Sequence, residues 1–504
     1  MFLPKNNVAN FNILESGLFQ DIASKESKSI GHMSGFTYFD YPTAYCDKNG
    51  YNNTLLPNGG LFPRIYTCIG ESGTGKTTTM IQLGGSIVDR HTFGTLIFID
   101  PEGNCSPERI KNLNKWNDFQ YRNKCLYIPP SPPITINDVY DTVRKVAHSK
   151  DGKFNKIGLV TPYKDIYTNK HIEIYPPTVI ILDSVPALVI SQSLEEQVDG
   201  KKEFKSVGQI SNNIDAMREA KDNTNFLKKV KGLLDKYNII LIMINHIVKE
   251  VSMGMFDKPK KYHPNLKAGE KLKGGSEQIY QSFGLFKISQ KEVINERNPI
   301  YGDRIRGAIN NLDLIKNKSN ISNNEFRIVF DKRTGYRPEL SDFEYLLSRK
   351  FGISGSPMSM YLDILPEIKF TRKTLVSKCE EFPLLSRAIS FLAKYKMGND
   401  LIIMNKFGEL NLNEFAELPL YKRISIILST TIPYPIYAID QFDNNSIKIL
   451  EMLAFRGNMY TGMTGEYISP ININILQKIS SWSKRGYCIC KNTGGDPIEN
   501  ILNK

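Results

Sequence analysis

The run Gly70-Glu71-Ser72-Gly73-Thr74-Gly75-Lys76-Thr77-Thr78 carries the spacing G-x-x-x-x-G-K-[ST]. Such a run holds phosphate when a strand feeds it and a helix follows, and the apolar stretch RIYTCI precedes it here. Its glycines let successive backbone N–H groups curl around phosphate oxygens, and the helix N-terminus adds partial positive charge. Lys76 then reaches the β- and γ-phosphates, and the Thr77 hydroxyl is a ligand for Mg²⁺. A second run, Thr178-Val-Ile-Ile-Leu-Asp183, is apolar and ends in a carboxylate. Asp183 is placed to hold the same ion, directly or through water. A third, Phe98-Ile-Asp100-Pro-Glu102-Gly103, ends another apolar stretch with two carboxylates. Glu102 is the candidate to orient and polarise an attacking water, with Asp100 in support. The alternative is that both acids cap a helix opening near Ser106. These groups point to hydrolysis of a nucleoside triphosphate with Mg²⁺.

The elements that must position these groups are legible as alternation. Strands are expected at Ile65–Ile69, Thr95–Asp100, Lys124–Ile128, Thr178–Asp183, Ile239–Asn245, Gly284–Ile288 and Phe326–Phe330. Several are near-continuous apolar runs, the pattern of strands covered on both faces. Helices are expected between them at Lys76–Arg90, Ile136–His148 and Phe226–Tyr237. Alternating strands and helices imply right-handed crossovers and a largely parallel sheet, with ligands at the C-terminal ends of the strands. Residues 150–176 look like an inserted hairpin or loop. Residues 1–60 form a short N-terminal region with a possible role in subunit contact, and 61–347 form the core. Residues 350–504 form a separate, mostly helical domain, with helices expected at Phe382–Tyr395, Tyr421–Leu428, Ser446–Arg456 and Ile473–Trp482.

The bulk properties fit a polyanion-binding protein. The 504-residue chain is 41% hydrophobic, enough for a real core, and carries a formal net charge of +13. That excess favours nucleic acid or an anionic surface as partner. It sits mainly in residues 1–350, with 48 Lys+Arg against 38 Asp+Glu. The seven cysteines are scattered and form no zinc pattern, so all are expected reduced in an intracellular compartment. No charged start followed by an apolar run opens the chain, and no apolar stretch approaches the ~20 residues of a membrane span. A soluble, cytoplasmic protein is expected.

Taken in order, these runs resemble the RecA-family recombinases, and their phage UvsX-like branch in particular. The resemblance runs from about Thr37 to Leu347 and includes GGLFPR before the first core strand, GESGTGKTT, IDPEGNCSPERI, VIILDSVPAL, LIMINHI, LKGGSEQIYQSFGLFKI, LIKNKSNIS and FRIVFDKRTGY. It implies an α/β fold: a RecA-like P-loop ATPase core with a largely parallel central sheet. It implies an ATP- and Mg²⁺-dependent enzyme that forms helical filaments on single-stranded DNA and pairs it with duplex DNA, with ATP at subunit interfaces. Loading or single-strand-binding proteins are possible further partners.

The resemblance also implies roles. Glu102 matches the water-activating glutamate. His246, after Asn245, stands where the family usually has glutamine, and would sense the γ-phosphate. An ordinary structural histidine is the alternative. Lys316 and Lys318 match paired lysines that reach a neighbour's γ-phosphate, although K-N-K alone is an unremarkable basic turn. Tyr336 would stack on adenine. Two mobile DNA-binding loops are implied at 186–206 and 248–275. The second offers Lys249, Phe256, Lys258, Lys260, Lys261, Lys271, Lys273, Gly274 and Gly275. Lysines neutralise phosphates, aromatics stack on bases, and glycines keep the segment flexible. The nearest rival is a hexameric DnaB-type helicase, for which Arg333 or Arg337 would be the arginine finger. A nucleotide-gated DNA-coating scaffold with little hydrolysis is another.

Overall fold

The computed structural model describes residues 29–48, 55–91, 93–165, 168–189, 210–249, 261, 266–272, 277–401, 412–417, 460–461 and 466–467. After a hairpin of β1 (Tyr45–Lys48) and β2 (Leu55–Asn58), the chain enters the central strand β3 (Ile65–Gly70) and helix α1 (Lys76–Asp89). Next come β4 (Thr95–Ile99), α2 (Pro107–Asn114), α3 (Asp118–Lys124), β5 (Cys125–Ile128) and α4 (Ile136–Lys150). A hairpin of β6 (Leu159–Lys164) and β7 (His171–Ile174) interrupts before β8 (Thr178–Asp183), as the sequence suggests for 150–176. Then follow α5 (Ile210–Lys236), β9 (Ile239–Lys249), β10 (Glu270–Leu272), α6 (Glu277–Gln281), β11 (Gly284–Ile294), β12 (Gly307–Asn317), β13 (Asn324–Asp331), β14 (Gly335–Tyr336) and α7 (Pro338–Arg349).

The protein is α/β with a mostly parallel central sheet. Among the described residues the sheet has ten strands in the order β14-β13-β12-β11-β3-β9-β8-β4-β5, with β10 pairing beside β9. From β11 to β5 neighbours run parallel, and β12 to β14 add an antiparallel edge. The apolar runs divide by alternate residues. Tyr66, Cys68, Leu96, Phe98, Val179, Ile181, Ile240, Ile242 and Ile244 face one cluster, with Met80, Leu83 and Ile87 of α1. Ile65, Ile97, Ile99, Ile180, Leu182, Leu241 and Met243 face another, with Val139 and Val143 of α4 and Leu227, Val230 and Leu234 of α5. The period of two along a strand puts successive side chains on opposite faces, so strands covered on both sides read as unbroken apolar runs.

Several expectations are corrected. α5 starts well before Phe226. β12 escapes a hydrophobicity reading because Asn310, Asn311 and Asp313 lie within it. The described residues of the N-terminal region are no separate segment, since Tyr38, Phe39 and Tyr41 are wholly buried in the main cluster. Nor is 350 a physical break. Residues 353–370 form an antiparallel sheet of β15 (Ile353–Ser356), β16 (Ser359–Leu362) and β17 (Leu365–Phe370), followed by α8 (Leu375–Glu381) and α9 (Pro383–Leu401). Met360 and Leu362 of β16 and Leu365 of β17 are buried, and they join Leu340, Phe343 and Leu346 of α7 and Leu385, Ile389 and Leu392 of α9 in the core cluster. The buried Glu344 carboxylate also binds Arg372 and Tyr301. The expected helices beyond 420 lie outside the described residues, and no helix among the described residues is long and apolar enough to cross a membrane.

A buried polar junction ties the N-terminal segment to this core. His32 Nε2 lies 2.8 Å from Asn238 Oδ1, and its Nδ1 lies 3.2 Å from His91 Nε2. The Asn238 amide nitrogen donates to Tyr175 O, so its oxygen faces His32, whose Nε2 must carry the proton. Beside them, Lys150 Nζ donates to the carbonyls of Pro176 and Tyr237 at 2.7 and 2.9 Å. Burial above all pushes His32 down to about 4; the Lys150 charge helps and the Asn238 bond opposes. A histidine depressed in the folded state contributes stability above its unfolded value, near 6.5, and loses it as pH falls toward the folded value. His32 alone is therefore expected to cost about 3 kcal/mol of stability as pH drops from 6.5 to 4. Urea midpoints across that window should fall steeply for the parent and less for His32→Gln; equal slopes would exclude His32 as the cause.

Candidate nucleotide site

β3 delivers the glycine-rich loop to the C-terminal edge of the sheet. Gly73 and Gly75 have φ of 77° and 83°, the left-handed region that glycine adopts without strain. Gly75 caps α1, and a Cβ there would sit 2.7 Å from the Phe330 ring. From the antiparallel edge, Asn310 Nδ2 donates to Thr74 O at 2.8 Å and braces the loop. Glu71, Ser72 and Gly73 are exposed, whereas Thr74 is buried. Lys76 is buried too, and its Nζ donates to Glu71 O at 2.6 Å, so the ammonium lies inside the curl of the loop. Burial lowers its pKa. Thr78 faces away: a Cβ on Gly335 would meet its methyl at 2.7 Å.

The two carboxylate runs arrive beside this loop. Asp183, at the end of β8, accepts a hydrogen bond from Thr77 Oγ1 at 2.6 Å. Burial first, then the Glu102 and Asp100 carboxylates, push Asp183 up to about 6 against the Thr77 bond. The Asp183–Ser184 peptide is cis. Among the described residues there is no group of three or more His, Cys, Asp or Glu that could hold a metal alone. Thr77 and Asp183 nevertheless fit Mg²⁺, a hard ion that takes one or two protein oxygens and fills its sphere with phosphate and water. The surplus negative charge at Asp183 is what such an ion would neutralise.

Glu102 stands in the turn after β4. Its Oε1 accepts from the Ser184 hydroxyl, its Oε2 accepts from Asn104 Nδ2 at 2.7 Å, and His246 Nε2 lies 3.4 Å from Oε1. Burial raises the Glu102 pKa, but these hydrogen bonds outweigh it and the net shift is downward. Asp100 does something else. Its buried carboxylate accepts from Gly103 N at 2.8 Å, Cys105 N at 2.9 Å and the Tyr127 hydroxyl at 3.1 Å, shaping the turn that carries Glu102. Ser106, not either acid, caps α2.

His246 is brought to the site by register, since β9 pairs it with Gly70. The preceding Asn245 is wholly buried and donates to Gln278 Oε1 at 2.9 Å. Lys316 and Lys318 lie elsewhere. Lys316 pairs with Leu285 at the opposite end of the strands, where its Nζ donates to Ile279 O and Tyr280 O at 2.7 and 2.8 Å. Burial, with Lys318 and Lys231 nearby, lowers it to about 8. Neither lysine approaches its own chain's glycine-rich loop. Tyr336 does not stand where the resemblance implies. It is 2% exposed and packs edge-on against Phe36, with ring centroids 4.9 Å apart, so its ring belongs to the core and has no face for adenine.

Of the expected DNA-binding residues, Lys261 and Lys271 are exposed, and Lys249 ends β9. Phe256, Lys258, Lys260, Lys273, Gly274 and Gly275 lie outside the described residues, as do residues 190–206 of the first loop. The segment 248–275 is not structureless throughout: Glu270–Leu272 form a ladder with Ile247–Lys249. Ser184, Asn104, Asn310 and Gln278 escaped the sequence reading, because single polar residues carry no spacing signal. No protein-family model matches the chain, and no curated protein matches it.

Proposed function

We propose that the chain is a DNA-dependent ATPase of the RecA-like recombinase class, which coats single-stranded DNA and pairs it with a duplex. The observation that carries this reading is the convergence of Lys76, Thr77, Asp183, Glu102 and His246 at one edge of the sheet, from four parallel strands and the helix after the loop. The loop N–H groups and Lys76 would cradle the triphosphate, and Mg²⁺ held at Thr77 and Asp183 would neutralise charge developing on the phosphates. Glu102 would accept the proton of the attacking water, and His246, in reach of Glu102, would register whether a γ-phosphate is present. Lys316 and Lys318, at the far end of the sheet, suit a head-to-tail assembly in which they complete the neighbour's site. The exposed lysines at 261 and 271 and the net charge of +13 favour a polyanionic track. In Arg337 the guanidinium is held by Glu339, and Arg333 donates to Arg304 O, which favours this reading over a helicase using either as a finger.

The test is ATP hydrolysis with and without single-stranded DNA, with negative-stain images of the same samples. DNA-stimulated turnover on helical filaments is the expected result. Closed rings would favour the helicase, and turnover indifferent to DNA without assembly would remove the DNA-binding assignment.

A further inference from the structure

Glu102 is held by two residues with no assigned role. Both of its carboxylate oxygens are engaged. The Ser184 hydroxyl, wholly buried, donates to Oε1, and Asn104 Nδ2 donates to Oε2 at 2.7 Å. Each bond stabilises the carboxylate over its conjugate acid and points the oxygen toward a fixed donor instead of a water. The grip is built in. Asn104 follows Gly103, whose φ is 68°, and the turn is pinned by Asp100, which accepts from Gly103 N and Cys105 N. The third group near the carboxylate, His246, sits on β9, which continues to Lys249 and there pairs with β10.

We propose that Asn104 and Ser184 are positioning residues that park Glu102 and hold ATP turnover low in the absence of DNA. The proposal rests on Glu102 being the base. Parking makes the slow state an active restraint: release of one oxygen raises the basicity of the carboxylate and frees it to turn toward water, without altering the nucleotide pocket. Of the groups on Glu102, His246 is the one carried by β9, so DNA bound near that strand would act on the carboxylate through it. Ser184 also follows the metal-binding Asp183, so Asn104 is the cleaner position to vary.

The experiment compares ATP turnover of the full-length protein, Asn104→Ala, the isosteric Asn104→Asp and Glu102→Gln, each with and without oligo-dT. Loss of a hydrogen bond to a carboxylate should raise DNA-free kcat of Asn104→Ala roughly tenfold. The KM for ATP should stay put and DNA-saturated kcat should hardly change, so the stimulation ratio falls. Asn104→Asp keeps the shape, replaces the donor with a like charge, and should rise as well. A merely structural role predicts lower turnover in both. DNA-free turnover at or below the parent's in both variants, with Glu102→Gln inactive, would overturn the parking and leave the base standing. Full turnover in Glu102→Gln would overturn the base and the parking together.

Discussion

Glu102→Gln is expected to lower ATP turnover by about 10²–10⁴-fold, the usual contribution of a positioned general base. ATP binding should survive, because Glu102 touches neither Lys76 nor the loop N–H groups. Glutamine keeps the side-chain length and can still accept from Ser184, Asn104 or His246 through its single carbonyl oxygen, so the turn at 100–105 should hold. Its amide cannot take a proton. The variant should therefore bind single-stranded DNA with ATP and remain bound, since the event that dismantles the complex is the one removed. Turnover by phosphate release and DNA retention by filter binding give the two halves of the result. Parent-like turnover would remove Glu102 from the chemistry.

Lys287→Met is expected to destabilise the fold by about 3–5 kcal/mol, the cost of leaving one member of a buried ion pair without its counter-charge. Lys287 Nζ lies 2.9 and 2.8 Å from the two oxygens of Glu270, and the side chains are only 7% and 8% exposed. Lys287 sits on β11 beside Ile69, next to the glycine-rich loop, and Glu270 opens β10. Ile69, Ile247, Leu266, Leu272, Leu285 and Ile315 form a small apolar cluster here. The double variant Lys287→Met/Glu270→Met should recover most of the loss, because two apolar side chains of similar volume need no partner. Urea midpoints decide it: a single variant within about 1 kcal/mol of the parent would mean that water reaches the carboxylate.

What could be read from the sequence followed the physics of each signal. Strands covered on both faces have no polar interruption, so β3, β4, β8 and the start of β9 were legible as unbroken runs, and each points its C-terminal end at the site. The loop and Asp183 were legible because phosphate cradling demands small residues at fixed offsets. β12 was not, since Asn310 is spent on Thr74 O and breaks the alternation. The burial of Tyr336 was not legible, because an aromatic at a given position says nothing of whether its ring faces a ligand or the core. The partners of Glu102 stayed hidden for a related reason: Ser184 comes from β8 and His246 from β9, and only the sheet order brings them to β4.

The position of β3 governs how this protein can be made. It is the strand of the phosphate loop, yet its neighbours are β9 and β11, far downstream. Thr67 meets Ser282 across 215 residues, and Thr74 is braced by Asn310 across 236. On a ribosome adding about 5–20 residues per second, the loop and its strand emerge roughly 10–40 s before these partners exist. Folding ruled by such distant pairings is slow, and an apolar strand waiting with both edges open invites association with other chains. The nascent protein thus passes through a prolonged window with its central strand unpaired, and a chain released before residue 310 would carry the phosphate-binding signature without its Asn310 brace.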